Sequence, residues 1–137
     1  MSAAAVFLDS NVLLYTLTKG EPRQSVAAGL LAKGGTVSVQ VLNEFASVAH
    51  RKLKLSWPET AEALAAVRAL CPAPLPLTVA THEAALALAA RYGFAFYDAL
   101  IVASALEAGC ATLLSEDMQD GQVIEGRVAI HNPFPRA

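Results

Sequence analysis

Apolar positions fall into two kinds of run that alternate along the chain, short unbroken ones and longer ones with a helical period. Ala4–Leu8 is a short apolar run closed by Asp9 and predicts a buried strand. A short helix follows over Asn11–Thr18. Glu21-Pro22 opens a second helix, because proline is tolerated in a first turn, and Gly34-Gly35 stops it. The β-branched stretch Thr36–Val39 predicts a second strand. Gln40–Leu53 carries an apolar stripe at Val41, Leu42, Phe45, Val48 and Ala49, the spacing of one helix face. Ser56 and Glu59 have capping-box spacing and start a helix that runs to Leu70. Pro72, Pro74 and Pro76 break it and lead into a strand at Leu75–Thr78. Val79–Tyr92 is an Ala-rich helix stopped by Gly93, and Tyr97–Ala108 is a helix apolar on nearly all sides, stopped by Gly109. Ala111–Leu114 predicts a strand, Ser115–Gly121 a polar turn and Val128–His131 a last strand. Strands alternating with helices predict an α/β fold, a parallel sheet covered by helices on both faces. In such sheets, sites form beyond the carboxyl ends of the strands.

At 137 residues the chain fits one domain, spanning 1–137, that buries about two-thirds of its unfolded surface. Its hydrophobic fraction of 55 % is above the usual ~45–50 %. That predicts a broad core and an apolar face left over for a partner. A net charge of −2 excludes nucleic-acid binding through an overall positive field. It does not exclude a nuclease whose acids are filled by a divalent cation, because the ion reverses the local sign. Cys71 and Cys110 lack metal-ligand spacing and are expected as buried thiols. Met1–Asp9 has no basic start and its apolar run ends early, unlike a signal peptide. With no run of about 18 apolar residues, no membrane span is expected, and the cytoplasm is the expected location. No phosphate-binding glycine loop and no GxSxG elbow occur. His50, His82 and His131 have no ligand spacing, and Ser104, inside the most apolar helix, is expected to bond a backbone carbonyl.

Candidate chemistry lies in acids set among apolar residues or in turns. Asp98 opens the most apolar helix, where a carboxylate must cap the helix, pair with a charge or bind a cation. Asp9 directly follows the first strand and is equally an N-cap for the next helix. Glu44 sits at the edge of its helix's apolar stripe, where solvated glutamates are common. Glu116, Asp117 and Asp120 lie in a turn, where acids are usually solvated. Taken jointly, Asp9, Glu44, Asp98 and Asp117 come from distant points of the chain and offer the oxygen donors that Mg2+ or Mn2+ prefer. Such ions activate water and stabilise the leaving oxygen in phosphodiester hydrolysis. Arg51-Lys52-Leu53-Lys54 is the one basic cluster; the helix dipole alone accounts for it, and phosphate contact is the second reading.

Several segments together resemble the PIN-domain family, and more narrowly the VapC-type toxins of bacterial toxin–antitoxin pairs. They are Phe7-Leu8-Asp9-Ser10-Asn11-Val12-Leu13-Leu14-Tyr15, Val41-Leu42-Asn43-Glu44-Phe45, Phe96-Tyr97-Asp98-Ala99-Leu100-Ile101, Leu114-Ser115-Glu116-Asp117-Met118 and Asn132-Pro133-Phe134. The resemblance implies a single PIN-like domain and a hydrolase, a Mg2+- or Mn2+-dependent endoribonuclease acting on RNA. It implies Asp9, Glu44, Asp98 and Asp117 as the metal-holding acids. Ser115 would orient a water beside the metal, and Asn11 would shape the site by bonding backbone or carboxylate. A homodimer and a silencing antitoxin, whose C-terminal segment fills the active-site groove, are the implied partners. The last acid is the most degenerate in this family, which leaves Glu116 and Asp120 as alternatives to Asp117. Two other functions use the same residues: a metal-dependent phosphatase or DNA nuclease, and a non-catalytic binding module in which the acids only cap helices. Phosphatases with an aspartyl nucleophile usually carry a DxD pair, and Asp9-Ser10-Asn11 lacks the second aspartate.

Overall fold

Strand β1 (Val6–Leu8) pairs in parallel with β2 (Thr112–Leu114), with Phe7 opposite Leu113, in a computed structural model that describes residues 5–134. Ala4, where the first strand was expected to begin, lies outside the described residues. β4 (Val128–His131) lies parallel to β2, and β3 (Val123–Ile124) closes the sheet antiparallel to β4, giving the order β1-β2-β4-β3. Adjacent residues on β1 (Phe7, Leu8) and on β2 (Leu113, Leu114) are all buried. Because successive strand side chains point to opposite faces, both faces of these strands are covered.

Among the described residues six helices flank this mostly parallel sheet: α1 (Ser10–Leu14, continued by a 3-10 turn at Tyr15–Leu17), α2 (Arg23–Ala32), α3 (Val39–Arg51), α4 (Trp57–Leu70), α5 (Val79–Tyr92) and α6 (Phe96–Glu107). Ala99 to Ala105 of α6 are buried without exception, which is why that segment reads as apolar on every side. The Ser104 hydroxyl inside it has no hydrogen-bond partner among the described residues, where a bond to a backbone carbonyl was expected. The capping box forms as the spacing predicts: Ser56 Oγ accepts from Glu59 N at 3.1 Å and Glu59 Oε1 from Ser56 N at 2.8 Å. Cys71 and Cys110 are buried free thiols. Among the described residues no single helix is long and apolar enough to cross a membrane.

Two expected strands shrink to single bridges. Thr36 pairs with Phe7, and Ser38 with Leu75, each for one residue pair. At the first, Ser38 accepts from Val41 N and caps α3, so the chain turns helical at Val39 before a strand can extend. At the second, Pro74 and Pro76 flank Leu75 and lack the N–H that a ladder needs. The segment still lies against the sheet: Leu8 N donates to Thr36 O and Thr36 N to Val6 O, both at 2.9 Å. Gly35 makes this approach possible, since an added Cβ would stand 3.1 Å from the Val6 carbonyl oxygen, while Gly34, with a φ of +76°, passes the end of α4, where an added Cβ would stand 2.9 Å from the Leu70 carbonyl oxygen. Gly34→Ala is therefore expected to destabilise the fold by about 1–3 kcal/mol in a denaturant titration, combining left-handed strain with a backbone clash.

Candidate active site

Parallel pairing of β1 and β2 sets their carboxyl ends side by side, so Asp9 and the Ser115–Asp117 turn emerge at one edge of the sheet. Asp9 N donates to Leu114 O at 3.0 Å and ties the two exits together. Asp9 is extended and caps α1, its Oδ1 accepting from Ser10 N at 2.7 Å. Its Oδ2 accepts from the Ser115 hydroxyl at 2.9 Å and, more loosely, from Asn11 Nδ2 at 3.4 Å. The same Asn11 amide reaches Asp117 Oδ2 at 3.1 Å, while Asn11 Oδ1 accepts from Glu116 N at 3.1 Å. Glu44 arrives from α3. Ser10 Oγ donates to its Oε1 at 2.8 Å and Gln40 Nε2 to its Oε2 at 3.1 Å.

Asp98 stands in the first turn of α6 and is half-buried. The N-cap position is taken by Ala95, so Asp98 does not cap the helix, and no described residue hydrogen-bonds its carboxylate. It is joined to the others through their fields. Burial, then the charges of Glu44 and Asp117, raise its pKa. Asp9 is pushed up to about 7, chiefly by burial; the Ser115 and Ser10 hydrogen bonds oppose this, and the charges of Glu44 and Asp98 add to it. Among the described residues none of these four acids pairs with a lysine, arginine or histidine. Nor do three His, Cys, Asp or Glu side chains among them already stand close enough to enclose a metal ion.

The alternatives for the last acid have partners of their own, Glu116 while lining the same groove as Asp117. Glu116 accepts from the Tyr15 hydroxyl at 2.6 Å and forms an ion pair with Arg23, Nε to Oε2 at 2.8 Å. Burial, followed by that bond, lifts the Tyr15 hydroxyl to about 12. Asp120 accepts from Asn132 N at 2.9 Å and faces His131 Nδ1 at 3.3 Å. A groove of about 720 Å³ runs past the cluster. Glu44, Asp117 and Asn11 line one part of it, and Arg51 and Lys52 line another.

A family model described as the PIN domain matches residues 6–119. The chain belongs to the PIN-domain family. Among solved structures, this PIN domain is similar to VapC20 of Mycobacterium tuberculosis, a sarcin–ricin loop cleaving toxin, at 20% identity and a TM-score of 0.66 over 80% of this chain and 87% of that one. It is similar to a toxin–antitoxin complex from Klebsiella pneumoniae at 20% identity and a TM-score of 0.69, covering 95% of this chain and 98% of that one. VapBC2 from Rickettsia felis, bound to a DNA fragment from their promoter, gives 18% identity and a TM-score of 0.60 over 93% and 98% of the two chains. At these identities the likeness is one of fold. No curated protein sequence matches the chain.

Ser10, Gln40, Tyr15 and Arg23 hold the candidate acids or their neighbours, and no motif in the sequence marks them for that role. Ser10, whose type and place suit an ordinary helix cap, bridges Asp9 and Glu44. Gln40 holds Glu44 from one turn earlier, a pair visible in retrospect as an i,i+4 neighbour on one helix face. The Tyr15–Glu116–Arg23 cluster had no sequence signal, since its members come from three separate segments.

Proposed function

We propose that residues 1–137 act as one nuclease domain, a Mg2+- or Mn2+-dependent endoribonuclease that is the toxin of a toxin–antitoxin pair in the cytoplasm. What carries this reading is the charge balance of the cluster. Acids from four distant segments share the donors Ser10 and Asn11 or are electrically coupled to one another, with no basic partner among the described residues, and a cation would restore the balance.

The donor set fits such an ion. All four side chains offer hard carboxylate oxygens. Mg2+ keeps several waters and uses one or two carboxylates together with substrate phosphate, so it needs no closed protein cage. Asp9, Glu44, Asp98 and Asp117 would hold it, and when bound it supplies positive charge against the scissile phosphodiester. The chain's own residues set the direction of the acids. Ser10 N and the Ser115 hydroxyl fix the two oxygens of Asp9, Ser10 and Gln40 fix those of Glu44, and Asn11 spans Asp9 and Asp117. Ser115 is fully buried, and its hydroxyl hydrogen is committed to Asp9. Ser115→Ala is expected to lower cleavage about 10–100-fold, the usual effect of losing a group that orients a metal ligand. It should also destabilise the fold by about 1–3 kcal/mol, because a buried carboxylate oxygen loses its donor; kinetics and a denaturant titration check the two effects.

RNA as substrate and an antitoxin as partner are supported by the neighbours, one a sarcin–ricin loop cleaving toxin and another a toxin–antitoxin complex. A homodimer is supported by Val79 and Leu86, exposed on α5 and seven residues apart on one helix face. The test is cleavage of total RNA by purified protein, with and without Mg2+ or Mn2+, alongside single-stranded DNA and a small phosphomonoester. Discrete RNA cuts that require metal are the expected outcome. Turnover of the DNA or the monoester in preference to RNA would replace this reading with the nuclease or phosphatase alternative.

A further inference from the structure

Beyond the acids, the end of α3 forms a second, shallower depression that shares Ser47 and Arg51 with the active-site groove. Its main feature is a stacked aromatic pair, His50 and Trp57, with ring centroids 3.6 Å apart and planes 11° from parallel. His50 is fixed in place: its Nδ1 lies 2.8 Å from Leu55 O, and a carbonyl can only accept, so Nδ1 carries the hydrogen. His50 covers one face of Trp57, yet Trp57 remains 61% exposed, which leaves its other face open.

Cations line the same depression as Trp57. Arg51 and Lys54 line the depression and Lys52 lies on the adjoining groove wall, and among the described residues none of them pairs with an acid. Lys54 has a φ of +61°, a conformation that favours glycine, so a positive charge occupies a position the backbone would give to a residue without a side chain. The acid on this lip, Glu59, has its carboxylate turned onto Ser56 N at 2.8 Å. Exposed aromatic surface next to unpaired cations suits a polyanion with flat bases better than an apolar peptide segment.

We infer that the His50–Trp57 lip is a stacking subsite for single-stranded RNA, one nucleobase lying on the open face of Trp57 with flanking phosphates at Arg51 and Lys54. This rests on the ribonuclease reading above and adds to it a place where the strand is gripped away from the acids. Arg51 is seven residues beyond Glu44 on α3, about 10 Å at the helical rise, so a strand held at the lip has the shared Ser47–Arg51 wall as its path to the groove. Stacking tolerates any base, so the subsite supplies grip and not sequence choice.

Trp57 is the only tryptophan, so its fluorescence reports the subsite directly. The full chain carrying Asp98→Asn is titrated with a short single-stranded RNA oligonucleotide and with an abasic oligomer of equal length, while the unaltered chain is assayed for RNA cleavage. Saturable quenching by the RNA and none by the abasic oligomer is expected. Trp57→Ala should weaken RNA binding about tenfold, and Trp57→Phe, which keeps an aromatic face, should retain most of it. Both replacements are at an exposed position and remove no core. Equal binding by the RNA and abasic oligomers would overturn the stacking site. So would an antitoxin that alters Trp57 fluorescence in a chain whose Trp57 ignores RNA. If the unaltered chain cuts RNA but Trp57 does not respond, the stacking site fails and the nuclease stands; if it neither cuts nor responds, both fail.

Discussion

Asp98→Asn is expected to reduce metal-dependent RNA cleavage at least about a hundredfold while leaving the melting temperature unchanged or higher. The two halves of this expectation have one cause. Asp98 accepts no hydrogen bond from a described residue, and its partial burial, followed by the charges of Glu44 and Asp117, raises its pKa. A carboxylate so placed contributes little to folding, and its neutral isostere removes like-charge repulsion without changing volume. Its use is in binding a cation. Groups that merely orient a metal ligand cost about 10–100-fold when removed, so a ligand itself is expected to cost more. Glu62→Gln, an exposed position on α4 outside the groove, serves as the control and should cut within about twofold of the unaltered chain. Undiminished cutting by Asp98→Asn protein at equal concentration would remove Asp98 from the mechanism and weaken the whole metal reading.

The long helices were legible because several local signals agree at each of them. Ser56 and Glu59 fix the start of α4, and Gly93 closes α5 in the left-handed conformation its position suggested. The short strands were less so. β3 is two residues long, and its turn to β4 places Glu125 and Gly126 at φ values of 53° and 65°, a geometry usually signalled by Asn-Gly or Asp-Gly. With glutamate in that place the signal was absent. At Thr36–Val39 the β-branched residues suggested a strand, but Ser38 as a helix cap won. For the site, order along the chain carried most of the information: a parallel sheet puts Asp9 and Asp117 past strand ends, and the structure brings those exits together. What the sequence could not give was the wiring. Ser10 looks like an ordinary cap until Glu44 is seen beside it, and Trp57 and His50 lie on either side of a helix break that defeats any periodic reading.

Mg2+ or Mn2+ added to metal-stripped chain is expected to raise its melting temperature by about 10 °C once the ion reaches roughly a hundred times its Kd. A ligand bound only by the folded state at that excess stabilises by about 2.7 kcal/mol, and a domain of this size gains about 3–5 °C per kcal/mol. The mechanism is the relief of uncompensated charge: Asp9 is buried against Glu44 and Asp98 with hydrogen bonds as its sole compensation. Potassium chloride at matched ionic strength only screens these charges and should shift melting far less, because buried pairs are weakly screened. Asp9→Asn combined with Asp98→Asn should abolish the divalent shift, since it removes two donors and much of the field that attracts the ion. A shift that survives in that double variant would locate the ion elsewhere in the chain. A shift lost in the variant, in a protein that cuts no RNA, would keep the metal site and leave its substrate to be found. Metal-dependent cutting without any shift would mean that the ion joins only with the substrate, as Mg2+ does where phosphate oxygens complete its shell.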